Sequence, residues 1–496
     1  MIETYKNNSK EELITELIEQ NFTITELKAQ LAQIKKLVYG SKSERFVPTI
    51  NAEQIIIDFD LPSDKAETAG KTQNIAYIRR QAKKSKTVST GRMAIPAHLP
   101  RVEIIIEPTE DVTGWVKIGE EITEEMELKA AELFVNRYIR YKYAKPNGEG
   151  VVIGELPSRP IDKGIPGPNF LATILTDKYL DHLPLYRQLQ RYARMGVQLN
   201  DSTFSQWVKS GCSLIEPLFN ELKKQVLTER YLQADETPIK VLDPLLKPGT
   251  THRGYYWVYH SPKKRLVFFD YQQGRGREGP TEILKDFKGF LQTDGYGVYD
   301  DFDKRENIIQ LNCWAHARRM FDEAKDNDKQ RAEFALVKIQ QLYELERKAK
   351  EEFFTHEQRY VLRQEKALPV LNELEQWLKA NIMQATPKSL IGKAIAYTLT
   401  RWEKLNRYTQ HGELEIDNNL VENAIRPVAL GRKNYLFAGS HQAAQRAGMI
   451  YSLLASCKHN GIEPTAWLKN ILKVLPDHKA NQLYLLLPQT QNVVQN

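Results

Sequence analysis

Two acids in this chain stand in the same local setting. Asp235 follows Leu-Gln-Ala in "YLQADETPIKV", and Asp294 follows Leu-Gln-Thr in "GFLQTDGYGVYD". An aspartate after a short apolar run is ordinarily a turn-former or cap. The repeated Leu-Gln-x-Asp at two strand-like ends argues instead for a paired role. Carboxylates held close repel each other, and relief comes from a shared proton or from cations. Mg2+, hard and oxygen-seeking, is the natural cation, with Mn2+ as a substitute. Two such ions about 3.5–4 Å apart can activate an attacking hydroxyl and stabilise the departing oxygen of a phosphodiester. Such a site wants a third acid. Glu422 in "NNLVENAIRP" is the first choice and Asp417 its rival; Arg426, four residues on, shares a helical face with Glu422 and could hold its carboxylate or a phosphate. Glu236, beside Asp235, is either a supporting acid or, by preference, solvent-exposed.

Phosphate chemistry also needs cations, and two stretches offer them. "CWAHARRMF" carries His316, Arg318 and Arg319; His316 is either a core histidine or a group that orients a phosphate. "GRKNYLFAGS" carries Arg432 and Lys433 beside an aromatic. That set suits a nucleic-acid backbone and a stacked base, or is simply a solvated charged face.

Patterning indicates the elements that must position these residues. "YLQADETP" reads as a strand, with "GYYWVYH" and "RLVFFDY" as a hairpin around "SPKK". "GPTEILKDF" is a short helix opened by Pro280. Strand "GFLQTD", helical turn "GVYDDF", strand "IIQLNCW" and helix "AHARRMFDEAK" follow. That order is the ribonuclease H-like core, here residues 231–319, in which the first and fourth strands are neighbours. Asp235 and Asp294 would then face each other at adjacent strand ends. Residues 320–412 are helical with no strand signal and read as an insertion before residues 413–440, which carry Glu422. Asn418 or Asn419 can cap the Glu422 helix, and Pro427 is expected to end or kink it. Residues 441–496 are helical, with a loosely ordered tail, "NQLYLLLPQTQNVVQN".

The N-terminal half reads as DNA-gripping modules. In residues 1–47 the apolar series Leu13, Leu17, Ile24, Leu27, Leu31, Ile34 and Val38 follows a coiled-coil seam and predicts self-association, the alternative being a helix packed on its own domain. Residues 48–92 form a linker whose end, "RRQAKKSKTVSTGR", holds Arg79, Arg80, Lys83, Lys84, Lys86 and Arg92 with no acid. It binds phosphates or is a solvated tether. Residues 93–165 suggest a small β-rich module. Residues 166–230 are helical; "PLYRQLQRYARMG", a short link and "NDSTFSQWVKSG" suggest a helix-turn-helix that places Ser202, Thr203 and Gln206 at a major groove, or else a plain helical hairpin.

Composition agrees with a large multidomain α/β protein. The 496 residues suit about three domains. A net charge of +7 and a pI near 8.9 are compatible with a polyanionic partner. No apolar run is long enough for a membrane span. Cys212, Cys313 and Cys457 lie too far apart for a disulfide framework or zinc-finger spacing, which fits a reducing, cytoplasmic setting.

Six stretches, "GRMAIPAHLPRVEI", "KYLDHLPLYRQLQRYARMGVQL", "LQADETPIKVL", "FLQTDGYGVYD", "CWAHARRMF" and "DNNLVENAIRPVALGRKNYLFAGS", together resemble the DDE transposase of the insertion-sequence-66 family. The resemblance covers almost the whole chain, and "LVYGSKSERF" resembles the end of that family's leucine-zipper segment. It implies that Asp235, Asp294 and Glu422 are a catalytic triad binding Mg2+ for cleavage and strand transfer at transposon ends. It also implies terminal inverted repeats and target DNA as partners, accessory proteins of the element, and a bacterial, nucleoid-associated setting. The rivals are another two-metal DNA nuclease and a catalytically silent DNA-binding regulator. One departure stands out. Residues 93–155 contain no cysteine where family members carry a zinc-binding module, so a β-rich outline without structural zinc is expected.

Overall fold

The computed structural model describes residues 133–136, 138, 142–144, 151–153, 157–162, 164–247 and 249–489. These divide between two compact units, Ser43–Leu156 and Pro157–Asn496. The coiled-coil segment, the linker and all six cations of the basic run lie outside the described residues. In the smaller unit β1 (Lys142–Ala144) and β2 (Val151–Ile153) form an antiparallel ladder within the cysteine-free segment.

The larger unit opens with three helices. α1 (Pro168–Tyr179) has proline in its first turn, where a missing N–H costs nothing. α2 (Leu185–Arg194) stops just before Gly196, whose φ of +82° suits glycine. α3 (Asp201–Leu227) is 27 residues long and passes through Gly211 and Pro217, well beyond "NDSTFSQWVKSG". Phe204, Val208, Cys212, Ile215, Leu218, Leu222 and Val226 form one buried stripe along it, and burying that stripe outweighs the two poor helix-formers.

The chain then lays down β3 (Tyr231–Val241), β4 (His252–Ser261), β5 (Leu266–Gln272), α4 (Glu278–Ile283), β6 (Gly289–Thr293), a 3-10 segment (Gly297–Lys304), β7 (Ile308–Asn312) and α5 (Trp314–Ala324). The sheet order is β5-β4-β3-β6-β7. β3, β4 and β5 are antiparallel neighbours, while β3–β6 and β6–β7 are parallel.

The helical block follows as α6 (Lys329–Glu351), α7 (His356–Leu362), a π-helical turn (Arg363–Ala367), α8 (Leu368–Ile382), α9 (Leu390–Thr400) and α10 (Trp402–Asn406). It has its own core, including Ile339, Leu342, Leu371, Leu374 and Ile395, shared with α5 through Trp314 and Phe321. α7 opens on a capping box, Thr355 and Gln358, and both of its bonds form.

α11 (Asn419–Tyr435), α12 (His441–His459) and α13 (Pro464–Val474) complete the unit. α12 runs along the outer edge of β5, where the hydroxyls of Ser456 and Ser452 accept from the amides of Val267 (3.0 Å) and Phe269 (2.9 Å). Those amides would otherwise face outward as an unpaired strand edge. From α13 to residue 489 the chain is anchored: a 3-10 segment (Ala480–Leu486) leads to Leu487, which is buried in the main core, while residues 490–496 of the tail lie outside the described residues. Among the described residues no helix is long and apolar enough to cross a membrane.

Candidate active site

Asp235 does not end its strand. β3 continues to Val241 because β4 templates it as far as the Val241–His252 pair. What ends near Asp235 is the ladder to β6, whose last pair is Gln233–Gln292. Asp235 and Asp294 each lie two residues beyond that pair, so the repeated Leu-Gln-x-Asp brings both acids to one pole of the sheet in matched register. Asp294 closes an Asx turn by accepting from the amide of Tyr296 (2.8 Å). Gly295, at φ +90°, makes the turn possible; a Cβ there would also meet Arg401 Nε at 2.8 Å.

The helical block holds this turn from outside. Tyr397 donates its hydroxyl to the Asp294 carbonyl (2.9 Å), and Arg401 donates to the Gly295 carbonyl (3.1 Å). The Arg401 guanidinium also lies over the Tyr397 ring at 4.2 Å.

The glutamines of the repeat are a clamp. The Gln233 amide donates to Gln292 Oε1 (2.9 Å) and to the Asp417 carbonyl (2.9 Å), and Gln292 donates to the Glu415 carbonyl (2.9 Å). The Glu415 amide donates to the Tyr231 hydroxyl (3.1 Å). The segment before α11 is therefore laid across β3 and β6 by side chains, with one backbone bond from the Trp314 amide to the Ile416 carbonyl at its flank. Asn418 finishes the junction: its side chain donates to the Ala234 carbonyl (3.1 Å) and its amide to Cys313 Sγ (3.2 Å). It holds the N-cap position of α11 without a side-chain cap bond, and its Nδ2 is turned to the Ala234 carbonyl instead. From behind, the fully buried Arg363 donates to the carbonyls of Tyr408, His411 and Leu414, each at 2.7 Å.

Glu422 follows in the first turn of α11, where the helix N-terminus favours a carboxylate. Its Oε1 lies 4.0 Å from His316 Nδ1 on α5. The rival, Asp417, accepts from the Asn419 amide at 3.0 Å, and burial holds its carboxyl above the ordinary range. Pro427 does not end the helix: α11 runs on to Tyr435. The carbonyl left without a donor belongs to Asn423, an exposed residue open to water.

Asp235 carries the electrostatic signature of the site. Its carboxyl lies well above the usual carboxylate range, mainly through burial, then through the charges of Asp294 and Glu236, with a smaller contribution from Glu422. Glu236, expected at the surface, is buried with its side chain 3% exposed and paired with Arg275. Arg275 in turn lies over the Tyr296 ring at 4.0 Å. Burial raises the Glu236 carboxyl and Arg275 opposes that rise. The sequence names Glu236 only as the less favoured alternative of a supporting acid and does not point to Arg275; the alternation Gly274-Arg275-Gly276-Arg277 is the available signal. The oxygen-only donors of Asp235, Asp294 and Glu422 suit a hard divalent cation.

The cation positions separate into two kinds. Lys433 and Arg426 on α11, and Arg319 on α5, are exposed. Arg318 is half-buried on α5. Arg432 is half-buried and donates to the Pro238 carbonyl, so it ties α11 to β3. Ser202, Thr203 and Gln206 are all exposed on the first turns of α3, while Trp207 packs inward against Phe170 and Phe204.

Sequence comparison assigns this architecture. A family model described as Transposase IS66 family matches residues 163–446, a span containing the whole five-stranded sheet, the helical block and all three acids. The chain belongs to the IS66 transposase family. A second model, IS66 C-terminal element, matches residues 452–489, and a third, Transposase C of IS166 homeodomain, matches residues 26–104. Three similar proteins come from Sinorhizobium fredii (strain NBRC 101917 / NGR234). Uncharacterized protein y4qI is 32% identical over 94% of this chain and 89% of its own length. Uncharacterized protein y4jD is 30% identical over 94% of each chain. Uncharacterized protein y4hP is 28% identical over 94% of this chain and 88% of its own. Membership in the IS66 family supports a transposase, with DNA as its partner.

Proposed function

We propose that the chain is a DDE-type transposase with a ribonuclease H-like core, in which Asp235, Asp294 and Glu422 hold Mg2+, or Mn2+ in its place. It cleaves DNA at the ends of its element and joins the freed 3′ end to target DNA. The observation that carries this reading is the matched register of Asp235 and Asp294, with Glu422 close enough to raise the Asp235 carboxyl further.

The cations, when bound, activate the attacking hydroxyl and stabilise the departing oxygen. The chain's own work is placement. The Asx turn at Asp294, braced by Tyr397 and Arg401, fixes one acid. The glutamine clamp and Asn418 fix the start of α11, and so Glu422. Lys433, Arg426 and Arg319, all exposed, would meet phosphates. Ser202, Thr203 and Gln206 offer polar groups at a helix start that suits a DNA groove. The basic run of residues 79–92 adds affinity, residues 1–47 dimerise the protein, and accessory proteins of the element complete the assembly.

The test is cleavage and joining of DNA bearing the element's ends, with and without Mg2+, by the natural protein and by Asp235→Asn, Asp294→Asn and Glu422→Gln. Loss of both steps by 10^3-fold or so with end binding retained supports the reading. Equal cutting by Asp294→Asn overturns it.

A further inference from the structure

Cysteine spacing along the chain gives no metal site, yet the fold brings three potential ligands together. Cys313 caps the N-terminus of α5, His316 sits one turn on, and Glu422 arrives on α11. One ligand atom from each of the three lies within 4.8 Å of the other two. We propose that Cys313, His316 and Glu422 bind a soft divalent cation, Zn2+ above all, and that Glu422 is thereby shared between two sites of opposite chemical preference.

The donor sets argue the selectivity. Asp235 and Asp294 offer only oxygen, which suits Mg2+. Cys313 and His316 offer sulfur and imidazole nitrogen, which Mg2+ avoids and Zn2+ favours. A tetrahedral ion with bonds of about 2.0–2.3 Å sets its ligand atoms roughly 3.5 Å apart, so the trio needs to close by only about an ångström. Three protein ligands leave the fourth position open to water. The His316 and Glu422 side chains, 30% and 39% exposed, provide an entry path.

The sulfur's surroundings point the same way. The Asn418 amide donates to Cys313 Sγ at 3.2 Å, and the His316 amide also hydrogen-bonds it. Amides directed at a sulfur at a helix N-terminus stabilise thiolate character. On binding a cation the thiol proton goes to solvent and the sulfur lone pair to the metal.

Zn2+ in this position would draw the Glu422 carboxylate toward α5 and away from the Asp235–Asp294 pair. The soft-metal site stands independently of the transposase reading; its effect on cleavage rests on that reading.

The full-length chain titrated with Co2+ in Mg2+-free buffer tests the site directly. The expected result is a saturable sulfur-to-cobalt charge-transfer band that Zn2+ displaces. The band is lost in Cys313→Ser, weakened about tenfold or more in apparent affinity in His316→Gln, and unchanged in Cys212→Ser. No band, or a band that survives Cys313→Ser, overturns the proposal. If Cys313→Ser loses its far-ultraviolet dichroism, His316→Gln alone decides, and unchanged affinity there overturns the site. The activity arm adds Zn2+ to Mg2+-dependent cleavage. Inhibition of the natural protein with resistance in Cys313→Ser is expected; equal inhibition of both overturns the sharing of Glu422. Should no DNA be cleaved at all, the cobalt band still decides the metal site while the transposase reading fails separately.

Discussion

Gln233 and Gln292 are partners across the parallel β3–β6 ladder, joined side chain to side chain at 2.9 Å. Both are fully buried, and both donate onward to the backbone that leads into α11. The pair is one structural link between the acid on β3, the acid just past the end of β6 and a third acid on a helix.

Gln233→Leu should break that link. It leaves Gln292 Oε1 and the Asp417 carbonyl without this donor in a dry setting, at a cost of about 1–3 kcal/mol. Because Glu422 loses its anchor, DNA cleavage should fall further than the stability change explains, while end binding persists. Denaturant unfolding beside cleavage rates checks this; a mutant that is less stable but cleaves normally refutes the positioning role.

The helical block should matter for chemistry although it carries none of the acids. Tyr397→Phe removes one hydrogen bond to the Asp294 carbonyl, worth about 1 kcal/mol. Gly295→Ala should be far worse, since its φ of +90° is strained for any residue with a Cβ and the methyl would displace Arg401 from the turn it braces. Cleavage by the natural protein and both variants, at equal folded fraction, should rank in that order.

Arg432 and Lys433 are adjacent but should behave differently. Lys433→Ala should weaken DNA binding evenly across sequences and lower the salt slope by about one. Arg432→Ala should chiefly lower the melting temperature, because its guanidinium serves the Pro238 carbonyl. Binding isotherms at several salt concentrations beside thermal melts separate the two.

Acid should weaken the helical block through Glu346. Burial alone would raise this carboxyl, but hydrogen bonds and charge from Arg363 and Arg359 hold it below its ordinary value. A depressed folded-state value means the stabilisation is present above the unfolded value, about 4.5, and is lost as pH falls through the lower folded value. Glu346→Gln leaves Arg363 buried without its counter-charge, costing about 3–5 kcal/mol at neutral pH. The natural protein should lose melting temperature between neutral pH and about pH 3 more steeply than Glu346→Gln, which has no such carboxylate to titrate.

Much of the sheet and its flanking helices was legible in the sequence. Strand and helix types from Tyr231 to Ala324 follow from local alternation and turn residues, and the strand order brought Asp235 and Asp294 together as the repeated Leu-Gln-x-Asp suggested. Legibility failed where a distant partner overrides local preference. β3 runs past Asp235 because β4 extends it. α3 passes Gly211 and Pro217 because its buried stripe continues. α11 passes Pro427, and Leu487 is drawn into the core.

By itself, the sequence determined which residues carry the acids, their strand and helix settings, and the family. Those are matters of local pattern and residue type, and neighbours along the chain set them. Only the tertiary structure decided that Glu236 is buried against Arg275, that Tyr397 and Arg401 brace the Asp294 turn, and that Cys313 and His316 meet Glu422. Each of these joins segments from tens to more than a hundred positions apart, and no period or spacing encodes such a meeting. It exists only when the sheet, the helical block and α11 close on one another.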